Sequence, residues 1–340
     1  MRVNRRQLVA GSLGALAMPA VSRLAHAQAS TVRLGKQFGL PYLPQMVMEK
    51  LKLIEKHAAK DGLPALTTQW MQLAGPGALN DALLSGGIDI INVAAPSLAT
   101  LWEKTGDSPQ AVRALCAVQS MPYILVTRHD SVKTIADLTD KDKIAVPSVK
   151  ISAQATLLQM AAAKQWGADQ YERLDPLTIS MGHPDAVAAL LSGQAEVTAH
   201  YGVAPFYFYE LAKPGMHAIL KSYDTTGGRH VNGIQITTQA FYNANPKLCA
   251  AVLAAHDEAN ALIQSQPAQA AEIYLEISRD KRSTPAEMTK MIADPDFDFT
   301  TTPAALMQIV GFMHSVGRIK RMPASWKDMF LPPAHALQGS

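Results

Sequence analysis

The sequence predicts an α/β protein built as two similar lobes around a cleft. Three observations carry this reading. Short apolar runs alternate with helical patterns along most of the chain, which is the signature of parallel sheets covered by helices. The alternation comes in two sets. One phrase occurs once in each set, ALLSGGIDII at residues 82–91 and ALLSGQAEVT at 189–198, and each reads as a helix end, a glycine stop and a strand. The 340 residues are 48% hydrophobic but only 6% aromatic, so two cores can form in which Ala, Leu, Ile and Val supply most of the apolar surface.

Residues 1–29 read as an export signal. Arg5-Arg6 precedes a mild apolar stretch from Leu8 to Val21, and small-x-small sites follow at Ala25-His26-Ala27 and Ala27-Gln28-Ala29. The stretch contains Pro19 and is a poor membrane span; the twin arginine and Arg23 suit the Tat route. No Cys follows it, so no lipid anchor is expected, and the mature protein is expected in a bacterial periplasm. Removal takes four arginines and no acid, leaving 27 basic residues against 28 acidic ones. A chain so near neutrality offers no basic face for nucleic acid. Cys116 lies in a strand pattern and Cys249 on a helix. Both are expected as small buried hydrophobes, although an oxidising compartment permits a bridge.

Taken in order, residues 31–39 read as a strand ending in a loop, 44–57 as a helix and 66–73 as an alternating strand. Gly75-Pro76-Gly77 opens a helix that Gly86-Gly87 stops. Residues 88–95 form a buried strand, and Pro96-Ser97 opens the next helix. Strands follow at 111–118 and 123–128, with a crossing to the second lobe at 119–122. There, 143–148 is a strand, Ser152 caps a helix stopped by Gly167, and 174–180 is a strand. Met181-Gly182-His183-Pro184 leads into a helix to Ser192. Residues 195–201 are a strand, a helix follows Pro205, and 216–222 and 231–238 complete the strands, with the return crossing at 229–233. Asn245-Pro246, Thr284-Pro285 with Glu287, and Thr302-Pro303 are helix starts of a tail that should pack on the first lobe. The lobes are thus expected at 30–120 plus 233–340 and at 121–232.

In open α/β sheets ligands bind beyond the carboxyl ends of strands, where helix N-termini point. Six such loops are rich in glycine, proline and hydroxyl residues. They hold Lys36, Phe38, Gly39 and Tyr42; Gly75, Pro76 and Gly77; Ala95, Pro96 and Ser97; Ser148 and Ser152; His183; and Tyr201. Glycine admits close approach, free N–H groups and helix dipoles favour an anion, and Ser97 and Ser152 can add hydroxyl donors. Lys36 either pairs with an acid or is solvated. Phe38, Tyr42 and Tyr201 either stack on a planar ligand or fill core. His183 and His200 lie near strand ends. Asn232, at the return crossing, can bond ligand or hinge backbone, and Arg229 is the main arginine near the cleft. No nucleophile elbow, P-loop or H-E-x-x-H motif occurs, and the ten histidines show no paired metal-ligand spacing. Neither catalysis, cofactor nor metal is therefore expected. Asp294 and Asp296, in PDFD, read as a solvated loop.

Three phrases carry a family resemblance. LAGPGALNDALLSGGIDIINVAAPSL resembles the second strand–helix unit of the NMT1/SsuA/TauA-like periplasmic solute-binding proteins of ABC importers. VKTIADLTDKDKIAVPSVKISAQATLLQMAAAKQWG resembles their passage into the second lobe, and HPDAVAALLSGQAEVTAHYGVAPFYFYEL the unit after it. The resemblance spans residues 31–245. It implies a type II periplasmic-binding fold, two α/β lobes with a hinge of two crossover segments and a central ligand cleft. It places ligand loops at 38–42, 75–77, 95–97, 148–152 and His183, and it adds Ser120. It implies a monomeric receptor that captures a small-molecule ligand and delivers it to an inner-membrane permease with its cytoplasmic ATPase. The family carries sulfonates, taurine, nitrate, bicarbonate and pyrimidine or aromatic compounds. Few arginines near the cleft favour a sulfonate or monocarboxylate over a dicarboxylate; a neutral pyrimidine-like solute is the alternative. An exported enzyme of this fold and a sensory binding protein are the competing readings. The AAPS loop departs from a more glycine-rich pattern. The two isolated cysteines depart from the cysteine-rich motif of the family's thiamin-pyrimidine enzymes.

Overall fold

The computed structural model describes residues 30–340 except 194 and 195; residues 1–29, expected to be an export signal, lie outside the described residues. One sheet is built from β1 (Thr31–Lys36), β2 (Thr67–Gln72), β3 (Ile90–Val93), β4 (Val112–Ser120) and β10 (Val231–Thr238), in the order β2-β1-β3-β10-β4. The other contains β5 (Ile124–Thr127), β6 (Ile144–Val146), β7 (Thr178–Ser180), β8 (Ala199–Gly202) and β9 (His217–Lys221), in the order β7-β6-β8-β5-β9. Both follow one plan. Three parallel strands are followed by one antiparallel strand and then an edge. The antiparallel strand, β10 in one sheet and β5 in the other, is the one that has just crossed from the other lobe.

Helices α1 (Leu43–Leu51), α2 (Leu53–Lys60), α3 (Pro76–Leu84) and α4 (Ala95–Thr105) belong to the first lobe. The second carries α5 (Ala153–Trp166), α6 (His183–Ser192), α7 (Phe206–Leu211) and α8 (Ser222–Thr226). The tail adds α9 (Gln239–Ala244), α10 (Pro246–Ser265), α11 (Pro267–Ser278), α12 (Pro285–Ile292) and α13 (Leu306–Ser315). The two ALLSG phrases are the same step in each lobe. α3 turns through Gly86 (φ +74°) into β3, and α6 turns through Gly193 (φ +68°) toward β8. Only glycine takes these left-handed values without strain.

The tail packs mainly on the first lobe. Leu248, Val252, Ala255, Ala259 and Ile263 form a buried stripe on α10, in one core with Val47 of α1 and Ile54 of α2. Thr284 and Glu287 form a capping box at the start of α12, and Ser152 caps α5, as their sequences predict. Cys116 and Cys249 are buried and unpaired. Among the described residues no helix is long and apolar enough to cross a membrane.

Five local expectations are corrected. The helix expected over 44–57 is two helices, because Lys52 takes a left-handed φ of 51°. The strand expected over 174–180 is a 3-10 turn at Asp175–Leu177 followed by three strand residues, because Pro176 cannot donate to a ladder. Thr302-Pro303 does not start a helix. α13 begins at Leu306, and Ser340 takes its free N–H groups: Leu306 N donates to Ser340 O at 2.7 Å. The segment holding Asp294 and Asp296 is not simply solvated, since Lys221 pairs with Asp296 at 2.6 Å. The strand expected from residue 195 begins at Ala199; Ala195 itself lies outside the described residues.

His256 sits in the α10 stripe, fully buried, and neither ring nitrogen has a hydrogen-bond partner. Burial lowers its pKa to about 3, and lowers those of His200 to about 3 and His230 to about 4. These rings stay neutral in the native state while the unfolded chain takes up protons below about pH 6.5. Stability is therefore expected to fall as pH drops from 6.5 toward 4, by up to about 1.4 kcal/mol per pH unit for each histidine. His256→Leu removes one such group and its unpaired N–H. In urea unfolding at pH 5 it is expected to gain about 1–3 kcal/mol over the parent and to show a shallower pH slope; an unchanged slope would show that His256 does not titrate this way.

Candidate functional site

The parallel strands of each sheet end toward the other lobe, and the segments after them meet there. A cavity of about 40 Å³ lies at this junction. Its wall includes Phe38, Pro41 and Tyr42 from the turn after β1, and the starts of four helices. These starts are Pro76 of α3, Ala94 and Ser97 of α4, Ser152, Ala153 and Gln154 of α5, and His183 of α6. The four helices are 9, 11, 14 and 10 residues long, so each brings a full macrodipole and N–H groups without an intrahelical acceptor. Among the described residues no Lys, Arg, Asp or Glu lines the cavity.

The lobes touch closely around it. Leu40 N donates to Ala204 O across the junction at 2.8 Å. A Cβ at Gly39 (φ +106°) would lie 2.8 Å from that same oxygen, and one at Gly75 would lie 2.9 Å from Pro147 O. Glycine is needed here because backbone meets backbone. At one rim, Arg318 donates to Thr156 Oγ1 (2.8 Å), to Gln159 Oε1 (3.0 Å) and to Lys150 O. At another, Tyr209 of α7 donates to Asp280 and accepts from Ser283 Oγ (3.0 Å).

Phe38, Tyr42, Pro76, Ser97, Ser152, His183 and Asn232 are brought together on the cavity wall. Gly39, Gly75, Gly77, Ala95, Pro96 and Ser148 lie next to wall residues in the chain without lining the cavity themselves. Ser152 presents the helix end rather than its hydroxyl, which donates to Ser148 O (2.8 Å) and accepts from Ala155 N (3.3 Å). Ser97 Oγ accepts from Asn80 Nδ2 at 3.3 Å and keeps its own hydrogen to give. Lys36 turns away: it is buried, paired with Glu49 and set over the Trp70 ring. Ser120 exchanges both backbone bonds with Asp298, at 2.8 and 2.9 Å. Tyr201 is fully buried, with its ring edge on Tyr123 at 6.2 Å. Arg229 bonds Pro295 O and faces Asp298, away from the cavity.

Tyr123 and Val203 also line the wall from outside the loops marked in the sequence, and Gln37 and Gln154 line it from within two of those loops, 36–42 and 148–154. Tyr123 stacks on His230 at 5.7 Å, and its hydroxyl lies 3.5 Å from Asn232 O. Gln154 closes the second of these loops, two residues past the Ser152 cap, at position N2 of α5. His183 connects inward: its Nδ1 lies 2.8 Å from His200 Nε2, and His200 Nδ1 lies 2.5 Å from Glu210 Oε1. Burial pushes the Glu210 carboxyl up to about 9 and holds His183 well below the usual imidazole range, with His200 adding to the latter. Among the described residues no group of three or more His, Cys, Asp or Glu is arranged to hold a metal ion.

Two α/β sheets of identical plan, two crossings and a cavity at the strand ends define the fold of the periplasmic binding proteins. The profile of the family described as NMT1/THI5 like matches residues 74–270, more than half of the chain, and the protein belongs to that family. No curated protein sequence matches it. Among solved structures, the alkanesulfonate-binding protein SsuA from Xanthomonas axonopodis pv. citri, bound to MOPS, is similar over 92% of this chain and 100% of its own, with TM-score 0.68 and 17% identity. The aliphatic sulphonate binding protein SsuA from Escherichia coli is similar over 89% and 98%, with TM-score 0.64 and 19% identity. The nitrate-binding protein NrtA from Synechocystis PCC 6803 is similar over 88% and 84%, with TM-score 0.65 and 17% identity. At these identities the likeness is one of fold.

Gly75 gives a test of closure. Its φ of −161° is extended backbone that alanine adopts freely, so a methyl group there acts on Pro147 and Ser148 across the junction. Gly75→Ala is expected to leave the unfolding free energy of the ligand-free protein within about 0.5 kcal/mol of the parent. It is expected to weaken ligand binding about 5- to 30-fold by titration calorimetry. Equal affinity in parent and variant would mean that the bound state does not close this gap.

Proposed function

We propose that the protein is the solute-binding receptor of an ABC importer, which encloses a small organic anion by closing two lobes and presents it to a membrane permease with its cytoplasmic ATPase. The observation that carries this reading is the uncharged cavity ringed by four helix N-termini at the junction of the lobes. N–H groups and dipoles there favour a negative oxygen, and closure around a ligand is the established use of such hinged lobes. The lobes are taken as 30–120 plus 233–340 and 121–232. The protein acts as a monomer, reaches the periplasm through the Tat-type signal and carries out no catalysis. A sulfonate or a monocarboxylate fits best, because a second negative charge would find no Lys or Arg on the wall. That same lack of cations is the observation favouring a second ligand class, a neutral pyrimidine-like compound against Phe38 and Tyr42.

Thermal unfolding against alkyl and aryl sulfonates, taurine, nitrate, aromatic carboxylates and pyrimidines tests both. A ligand at a hundred times its dissociation constant adds about 2.7 kcal/mol of stability. A shift with monoanions alone, without turnover, is the expected result. A shift confined to pyrimidines would replace the anion reading, and turnover of the compound would replace the receptor reading.

A further inference from the structure

The wall residue His183 is the outer end of a buried chain that the binding reading leaves unused. Glu210 and His200 are fully buried and His183 is nearly so. The links are 2.5 Å from Glu210 Oε1 to His200 Nδ1 and 2.8 Å from His200 Nε2 to His183 Nδ1, and His183 Nε2 lies 3.3 Å from Gln154 Nε2. Each ring is held in place. His183 stacks on Phe206 at 5.4 Å, and β8 leaves room for His200 only because residue 202 is glycine, where a Cβ would lie 2.9 Å from His200 Cε1.

The direction of this chain follows from one orphan atom. Glu210 Oε2 is buried and has no hydrogen-bond partner. A carboxylate left with a bare oxygen in the interior is costly, whereas a carboxylic acid that gives its proton to one neighbour leaves only a weak carbonyl acceptor. Glu210 therefore donates to His200 Nδ1. His200 must then carry its hydrogen on Nε2 and donate to His183 Nδ1, and His183 must carry its hydrogen on Nε2. The Gln154 atom facing it is the amide nitrogen, which cannot accept, so this direction requires the Gln154 amide to turn end for end and offer its oxygen.

We propose that Glu210, His200 and His183 form an uncharged hydrogen-bond relay that fixes the cavity end of His183 as a donor, so that the site selects a ligand oxygen that accepts. Loss of one proton reverses the whole relay. The Glu210 proton passes to His200 Nδ1, the His200 Nε2 proton passes to His183 Nδ1, and the His183 Nε2 proton leaves through the cavity. His183 Nε2 is then a bare acceptor. The neighbouring elements bring Asp185 on α6, Tyr207 and Tyr209 on α7, Tyr201 on β8, and His217 and Lys221 on β9; β5 and β6 bring no ionisable group. None of these acts on the three groups, for which burial and, at His183, the neighbouring His200 are the only influences. The raised pKa of Glu210, about 9, sets the reversal above neutral pH.

The relay has a test that needs no ligand. Long-range 15N–1H spectra of the protein labelled at histidine report which ring nitrogen holds hydrogen. At pH 7, His183 and His200 are expected to be neutral and both protonated on Nε2, and infrared spectra are expected to show a protonated carboxyl band that Glu210→Gln removes. Above pH 9 both rings are expected to change together to the Nδ1–H form in the parent and not in Glu210→Gln. Both rings on Nδ1–H at pH 7, an imidazolium, or rings that change independently would overturn the relay; the parent titration alone decides this even if the variant does not fold. The selection of an accepting oxygen rests on the binding reading above and is probed with methanesulfonate. Its affinity is expected to drop about tenfold one pH unit above the reversal, and to stay within about twofold in Glu210→Gln. A relay that titrates as described without any binding of methanesulfonate sustains the relay and counts against the anion reading alone.

Discussion

The antiparallel pairing of β4 with β10 is the constraint on which the rest of the molecule depends. Ser120 faces Val231 where one strand leaves the first lobe and the other returns to it. The bonds continue past the sheet: Gln119 Nε2 donates to Asn232 Oδ1 at 3.1 Å and Asn232 Nδ2 donates to Met121 O at 3.3 Å. Gly233 makes this possible, since a Cβ there would lie 2.6 Å from Gln119 Nε2 and 2.9 Å from Asn92 Oδ1. The tail then ties the same point, through Ser120 to Asp298 and Arg229 to Pro295. Two crossings bonded side by side can rotate but resist sliding. Rotation about them brings the carboxyl ends of both sets of parallel strands together, and with them the helix N-termini.

This geometry decides the electrostatics of the cavity. The cations near it are committed elsewhere: Lys36 to Glu49, Arg229 to Pro295 and Asp298, Arg318 to Lys150, Thr156 and Gln159. A buried lysine or arginine would need a partner whenever the site is empty, and removing that partner is costly. Helix ends and neutral donors carry no such requirement. They attract an anion through fixed dipoles that the fold supplies in any case.

The parts that were legible in the sequence are those set by neighbours along the chain. The Ser152 cap, the Thr284–Glu287 box, the glycine stops and the two ALLSG steps obey local rules, and the strand–helix alternation then implies the lobes. What escaped depends on residues far apart in sequence. Lys36 follows a strand end as a ligand-binding lysine would, but Glu49 on α1 takes it inward. Tyr123 and Val203 join the wall only because the lobes face each other. Pro176 shortens a strand that its apolar neighbours suggested. Glu210 lay unremarked on a short helix, because only the fold brings it under His200.

Besides the ring contacts of Tyr171 with Phe312 and Phe208 with Phe297 and the pairing of Lys221 with Asp296, the contacts across the junction that border the cavity are of two kinds. Gly39 and Gly75 bring backbone against backbone, a contact that fixes distance and contributes little apolar burial. Arg318 and Tyr209 reach across the rims through long side chains. A neutral bond of this sort contributes about 0.5–1.5 kcal/mol, and one to a charged group about 1.5–3. Shifting an open–closed equilibrium from 1:99 to 99:1 requires about 5.5 kcal/mol of preference for the closed form. The rim bonds must therefore be offset in the empty protein by the water that the open lobes would bind, or the cavity would be shut to its ligand. The backbone contacts fix how small the closed cavity is, and the donors on its wall decide what fills it. In the proposed receptor the ligand acts as the missing part of the interface, and the lobes are expected to close fully only around a solute that satisfies both.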